Sequence, residues 1–86
     1  MKEFENILKA LANRRRLAIL KFLKKHKEAS VGGIADEINL SFKATSKHLN
    51  ILARAGLLDK DQKSLKVYYQ IAPGPKLFVR AVLKDL

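Results

Sequence analysis

The chain has 86 residues, 18 Lys and Arg against 8 Asp and Glu, a formal net charge of +10 and no cysteine. This length suits one small domain that gains stability from a partner subunit, and the missing cysteine excludes a disulfide framework and any thiolate metal site, as befits a reducing cytoplasm. No apolar run approaches the roughly 18 residues of a membrane span, no signal-peptide pattern opens the chain, and a basic excess of this size points to a polyanion, first of all nucleic acid. The bland alternative is a Lys-rich soluble surface, but such surfaces usually balance Lys with Glu, which is scarce here.

Phe4, Ile7, Leu8 and Leu11 recur at helical spacing and predict a first helix over 2–12. Asn13 offers an N-cap for a second helix. There Leu17, Ile19, Leu20, Phe22 and Leu23 are apolar, while Lys21, Lys24 and Lys25 face outward or close the last turn, where cations suit the helix dipole. Ser30 can cap a short third helix with a buried stripe of Val31, Ile34, Ala35 and Ile38. Asn39 can end it, because Asn tolerates the left-handed conformation. Leu40 is then expected as a buried turn residue, and Ser41 caps the next helix almost at once. Two helices joined by about three residues read as a helix-turn-helix.

The fourth helix lies in "SFKATSKHLNILARAGLL", residues 41–58. At about 100° per residue, Thr45, Leu49 and Leu52 point one way. Ala44, His48, Ile51 and Ala55 flank them on one side, Phe42 and Ala53 on the other. The remaining arc holds Lys43, Ser46, Lys47, Asn50 and Arg54, and no acid. A merely solvated face normally mixes signs. Gly56 is placed to end the helix.

Beyond it, "DKDQKS" reads as a polar turn. "LKVYYQI" alternates, with Leu65, Val67, Tyr69 and Ile71 on one face, which predicts a half-buried strand paired back on a short strand near Leu58. Such a hairpin after a helix-turn-helix is a wing. "APGP" interrupts the chain at Pro73 to Pro75, and a last helix is expected over 75–86, with Lys76, Arg80 and Lys84 on one row. Its apolar arc is wider than one small domain covers from one side. The terminal helices are therefore expected to dimerise through Phe4, Leu8, Phe78, Val79, Val82 and Leu83; burial of the last helix within its own domain is the alternative. The expected fold is a single, mainly α domain over 1–86 with a small β-hairpin, in the order α-α-α-α-β-β-α.

Three stretches carry a family resemblance. "LANRRRLAIL" at 11–20, the stretch at 41–58 and "VYYQI" at 67–71 are similar, in that order, to motifs of the ArsR/SmtB family of winged helix-turn-helix repressors. The resemblance implies a DNA-binding transcriptional regulator, with Arg16 at the family's arginine and His48 at a position counted among the DNA contacts. It also implies repression by occluding promoter elements. The chain departs from the metal sensors of that family: "ASVGGIADE" carries no Cys pair, and the last helix has Asp85 but no His. The wing, "DQKSLK", lacks the usual Gly.

A helix fits the major groove, and its N-terminal part reaches base edges. Phe42, Lys43, Ser46 and Lys47 occupy that part; Asn50 and Arg54 are placed for phosphate. Lys60, Lys63, Ser64 and Lys66 on the wing can reach phosphate or the minor groove, with Asp59 and Asp61 diluting them. Tyr68 is expected exposed and Tyr69 in the core. His48 has two readings of equal weight: a DNA contact, or a half-buried residue that orders the helix start. Arg16 falls among core positions and is expected as a hydrogen-bonded anchor; Arg14 and Arg15 are phosphate contacts or solvated. No catalytic constellation emerges, since the adjacent Asp36 and Glu37 point apart on a helix. Two isolated histidines make no metal site, so no cofactor or metal is expected. The expectation is a cytoplasmic, homodimeric regulator, a repressor of promoters with a roughly palindromic duplex operator. An architectural DNA-coating protein and a protein-binding winged-helix module are the alternatives.

Overall fold

A computed structural model describes residues 1–73 and 77–86, with side chains given outside 74–79. Helix α1, Lys2–Leu11, has Glu3 and Glu5 in its first turn and Lys9 in its last, the arrangement its dipole favours. It buries Ile7, Ala10 and Leu11. Helix α2, Arg14–Lys25, starts where Asn13 Oδ1 accepts from the Arg15 and Arg16 amides at 3.0 and 3.1 Å. It buries Ile19, Leu20 and Leu23. Both α1 and the last helix, α5, Leu77–Lys84, pack on α2.

The helix-turn-helix follows from two left-handed residues and two serine caps. Helix α3, Val31–Ile38, begins at Ser30, whose hydroxyl accepts from the Gly33 amide at 3.1 Å. At its end Asn39 takes φ 54. The Asn39 amide then bonds Asp36 O at 3.3 Å and the Leu40 amide bonds Ala35 O at 3.0 Å, which satisfies carbonyls the helix would leave open. Leu40 is half-buried in this turn. Ser41 immediately caps α4, Phe42–Arg54, accepting from the Ala44 amide at 3.1 Å. Helix α4 closes by the same device: Gly56, at φ 81, bonds Ala53 O at 3.0 Å, and the Leu57 amide bonds Leu52 O at 3.0 Å. Leu57 and Leu52 are both buried in the core, the apolar contact that accompanies this closure.

Strands β2, Leu58–Lys63, and β3, Lys66–Ile71, form an antiparallel hairpin registered from Leu58↔Ile71 to Lys63↔Lys66. A two-residue strand β1, Ala29–Ser30, pairs with the other edge of β3, giving the order β1-β3-β2. The fold is a winged helix-turn-helix, mainly helical with a small antiparallel sheet. Two expectations change. "DKDQK" is strand rather than turn, because ladder pairing uses backbone groups and continues through polar side chains until Ser64 and Leu65 reverse the chain. Leu65 therefore leaves the apolar face on which alternation placed it and is 96% exposed at the tip. Val67 and Ile71 are half-buried and Tyr69 is buried, as the alternation requires.

The core gathers apolar residues from all five helices and from both wing strands. Leu83 belongs to it at 7% exposure and packs within its own domain. Phe4, Leu8 and Val82 are exposed. The expected proline start of the last helix at Pro75, and the side chains of Phe78 and Val79, lie outside the described residues.

Thr45, Leu49 and Leu52 are the buried residues of α4, as the helical wheel requires. Thr45 is fully buried, and its hydroxyl has no hydrogen-bond partner among the described residues. An unsatisfied buried hydroxyl costs about 1–3 kcal/mol. Thr45→Val keeps the shape and removes the polar atom; we expect about 1 kcal/mol of added stability, read as a higher urea midpoint with unchanged slope. A lower midpoint would show that the hydroxyl is bonded in solution.

Candidate nucleic-acid interface

Helix α4 contains no acidic residue. Its inner stripe is held in the core, so the opposite face must point outward. Lys43, Lys47, Asn50 and Arg54 are exposed there, Ser46 is half-buried, and Phe42 is 63% exposed at the first turn. The serine cap and the dipole make this first turn the more electropositive end of the helix, and Lys43 and Lys47 add full charges beside it.

The wing folds against the same face. Phe42, Ser46 and Asn50 of α4 and Lys60, Leu65 and Lys66 of the hairpin line one groove of about 430 Å³. The acid-free outer face of α4 and a hairpin that carries Lys60 and Lys66 beside Asp59 and Asp61 thus share one groove. Arg54 does not join them: it lines a separate groove of about 240 Å³ with Asn6, Lys9, Arg16 and Ile51.

Lys63 also stands apart from the other wing cations. Its Nζ donates to Glu28 Oε1 at 2.6 Å and lies 5.4 Å from the Tyr68 ring centroid. The hydrogen bond to Glu28, foremost, holds its pKa above the ordinary lysine value. Glu28 adjoins β1, so this exposed pair ties the wing to the start of α3. Ser64 takes φ 59, the left-handed position a wing glycine would otherwise fill. Tyr68 is half-buried under Lys63, and Tyr69 is in the core, where burial raises its phenol pKa.

Arg16 is the anchor that its place among core positions suggests. Its Nε donates to Ala10 O at 2.7 Å and its Nη2 to Lys9 O at 3.2 Å, capping the end of α1. Its Nη1 lies 3.3 Å from His48 Nδ1. Guanidinium nitrogens only donate, so this contact requires Nδ1 to accept and the histidine proton to sit on Nε2. Burial first, then the charges of Arg16, Arg15 and Lys47, lowers the His48 pKa below 6.5. His48 is thus half-buried, neutral and engaged in fixing α4 against α2.

A second cationic surface runs along α2. Arg14, Arg15, Lys21 and Lys25 line an open groove of about 770 Å³, with Glu37 on the opposite wall. Sequence reasoning raised Arg14 and Arg15 but not their grouping with Lys21 and Lys25. It also missed Leu65 as a surface residue; the signal was the equal polar flanks, Lys63 and Lys66, around a two-residue turn. Among the described residues no group of three or more His, Asp or Glu could hold a metal ion, and no helix is long and apolar enough to cross a membrane.

Comparison with known proteins converges on one family. Residues 13–60 match the family described as "Bacterial regulatory protein, arsR family". The chain is 41% identical over 66 residues to the transcriptional activator HlyU of Vibrio cholerae, covering 77% of this chain and 60% of that protein. It therefore spans about three fifths of the length of that relative. It is 35% identical over 66 residues to the transcriptional repressor SdpR of Bacillus subtilis, covering 77% of this chain and 72% of the other. The homodimeric winged helix-turn-helix DNA-binding domain of a Mycobacterium bovis protein superposes with a TM-score of 0.84 at 30% identity, covering 98% of this chain and 74% of that one.

The Arg16–His48 contact has a pH signature. A histidine whose pKa is lower in the folded than in the unfolded state favours folding while neutral. Its contribution is fully present above about pH 6.5 and is lost as pH falls through the folded-state value. We expect the wild-type melting temperature to drop more between about pH 7.5 and about pH 5 than that of His48→Gln, which cannot titrate. Parallel melting curves for the two proteins across this range would remove the contact from the stability balance.

Proposed function

The chain belongs to the arsR family of bacterial regulatory proteins, and from that premise we propose that it is a sequence-specific, dimeric repressor that reads duplex DNA with α4 and its wing. The observation that carries this reading is the acid-free outer face of α4, continuous with the wing across one groove. An α-helix of this polarity fits the major groove, where Lys donates to guanine O6 and N7. Lys43, Ser46 and Lys47 lie in the first two turns and take the base edges, with Phe42 against a thymine methyl. Asn50 faces the wing side and Arg54 the α1 side, so each reaches phosphate on a different flank. Lys60 and Lys66 carry the wing's charge to the adjacent backbone; Lys63, held by Glu28, sets the wing's position instead. His48 acts on DNA through α4, by holding its angle.

Dimerisation follows from the terminal helices. Leu8 and Val82 are exposed apolar residues on α1 and α5, the two helices that flank α2. A two-fold pair places two copies of α4 in successive major grooves, roughly 34 Å apart, and calls for a palindromic operator. The relatives include a named activator and a named repressor. Repression is the simpler outcome of a cationic dimer that covers promoter DNA, and it operates in the bacterial cytoplasm, where the nucleoid lies.

Two measurements test this. Selection of bound fragments from genomic DNA at physiological salt should return discrete sites with a preference of roughly 10³-fold or more over random DNA. A coating protein instead gives steep salt dependence and no preferred site. On a selected duplex, Lys47→Ala should lose about tenfold in affinity and relax the preference at one base pair, with the dimer intact. Val82→Asp should sediment as a monomer or aggregate; a stable dimer would move the interface away from α5.

A further inference from the structure

Leu65 breaks the local rules of its turn. It is 96% exposed at the wing tip. Two-residue hairpin turns with positive φ at the first position ordinarily place Gly there, and polar residues dominate such turns. Here Ser64 carries the positive φ and a leucine stands at the tip. Departures of this kind concentrate at functional positions. The strands behind the tip are polar or charged from Asp59 to Lys63 and at Lys66, and Leu65 stays almost fully exposed although Phe42, Val67 and Tyr69 line the same groove. Leu65 lines the same groove as Ser46 and Asn50 of α4 and Lys60 and Lys66 of the wing. The apolar tip, Lys60 and Lys66 beside it and the outer face of α4 therefore share one groove, with Asp59 and Asp61 on the same hairpin.

We propose that Leu65 is an apolar wedge that enters the minor groove beside the major-groove contact and partly unstacks one base step. This rests on the DNA-binding reading above. Proteins that kink DNA from the minor groove combine cationic side chains on the backbone with an apolar side chain between bases. Lys60 and Lys66 supply the first part and Leu65 the second. Pyrimidine–purine steps unstack most easily, so Leu65 confers a preference for a TA or CA step where the wing lands, at a position read by deformability and not by hydrogen bonds. Duplex DNA is the partner, and not an anionic bilayer, because the collar of charge continues from the tip onto the acid-free helix α4.

The test uses the full chain and a duplex enriched by the wild type from a random-sequence pool at physiological salt. Fluorescence energy transfer between labelled duplex ends reads the bend, and titration reads affinity. Leu65→Ser should bind about tenfold more weakly and leave the ends farther apart, while the salt slope stays unchanged because no phosphate contact is lost. Leu65→Phe should keep the bend. Replacing the flanking TA or CA step by AA should weaken the wild type by a similar factor and leave Leu65→Ser unaffected. Because Leu65 lies outside the core, neither substitution disturbs packing. Equal affinity and equal bend for wild type and Leu65→Ser overturn the wedge and leave the DNA reading standing. If the wild type enriches no duplex, the DNA reading falls and the wedge with it. If Leu65→Ser instead loses binding to phosphatidylserine vesicles while its DNA affinity is unchanged, the tip belongs to a membrane surface and the proposal is overturned.

Discussion

Three helices meet at one guanidinium. Arg16 sits in the first turn of α2, caps the last carbonyls of α1 and touches His48 on α4. Each partner needs it for a different reason. Helix α1 ends with carbonyls that have no intrahelical donor, and a fixed cation there satisfies both the hydrogen bonds and the dipole. Helix α4 presents its charged face outward only if its inner stripe and its flank are held, and His48 lies on that flank. A lysine could not replace the arginine, because one ammonium cannot span two carbonyls and an imidazole in a fixed planar fork. The angle at which α4 leaves the domain thus depends on a residue that itself contributes little to the exposed cationic face.

Among the described residues two ion pairs hold the remaining charge. Glu5–Lys9 and Glu28–Lys63 are exposed pairs, and such pairs add little to stability. Pairing one cation with one acid leaves the net +10 unchanged. Glu28–Lys63 is better understood as a positional device: it joins the segment before α3 to the wing, which already shares β3 with β1. The helix-turn-helix and the wing are consequently held in register by a strand pair and an ion pair, so a ligand that spans both meets a preformed surface and orders less of the chain on binding.

The parts legible in the sequence are those fixed within a few residues. Asn13, Ser30 and Ser41 bond amides two or three positions ahead, and Asn39 and Gly56 take the left-handed turns that only a few residue types accept. The α4 wheel was legible because its period is set by the backbone, and Thr45, Leu49 and Leu52 are all buried. The features hidden from the sequence depend on partners far along the chain. Strand β1 is two residues long and exists only because β3 lies beside it. The role of Lys63 depends on Glu28, 35 positions away. Alternation placed Leu65 in the core because the pattern continues through it, whereas the register from Leu58↔Ile71 to Lys63↔Lys66 puts the reversal there. Leu83 shows the same limit: its periodicity marks an apolar face, but not whether its own domain or another covers it.

His48 joins these two levels. Sequence placed it at the border between the buried and charged arcs, and both arcs act on it. Burial and three neighbouring cations disfavour its protonation, and the Arg16 contact needs a free lone pair on Nδ1. These pressures agree, so the residue is neutral in the folded domain and its orientation is set by an arginine that cannot lose its charge. Protonation would place two donors and two positive charges face to face at the joint between α2 and α4. At this joint α4 is therefore held by a contact that needs the His48 ring neutral, beside its buried stripe of Thr45, Leu49 and Leu52. A positive charge gained at that joint would oppose the packing of α4 against α2, because Arg16, Arg15 and Lys47 already stand beside the ring.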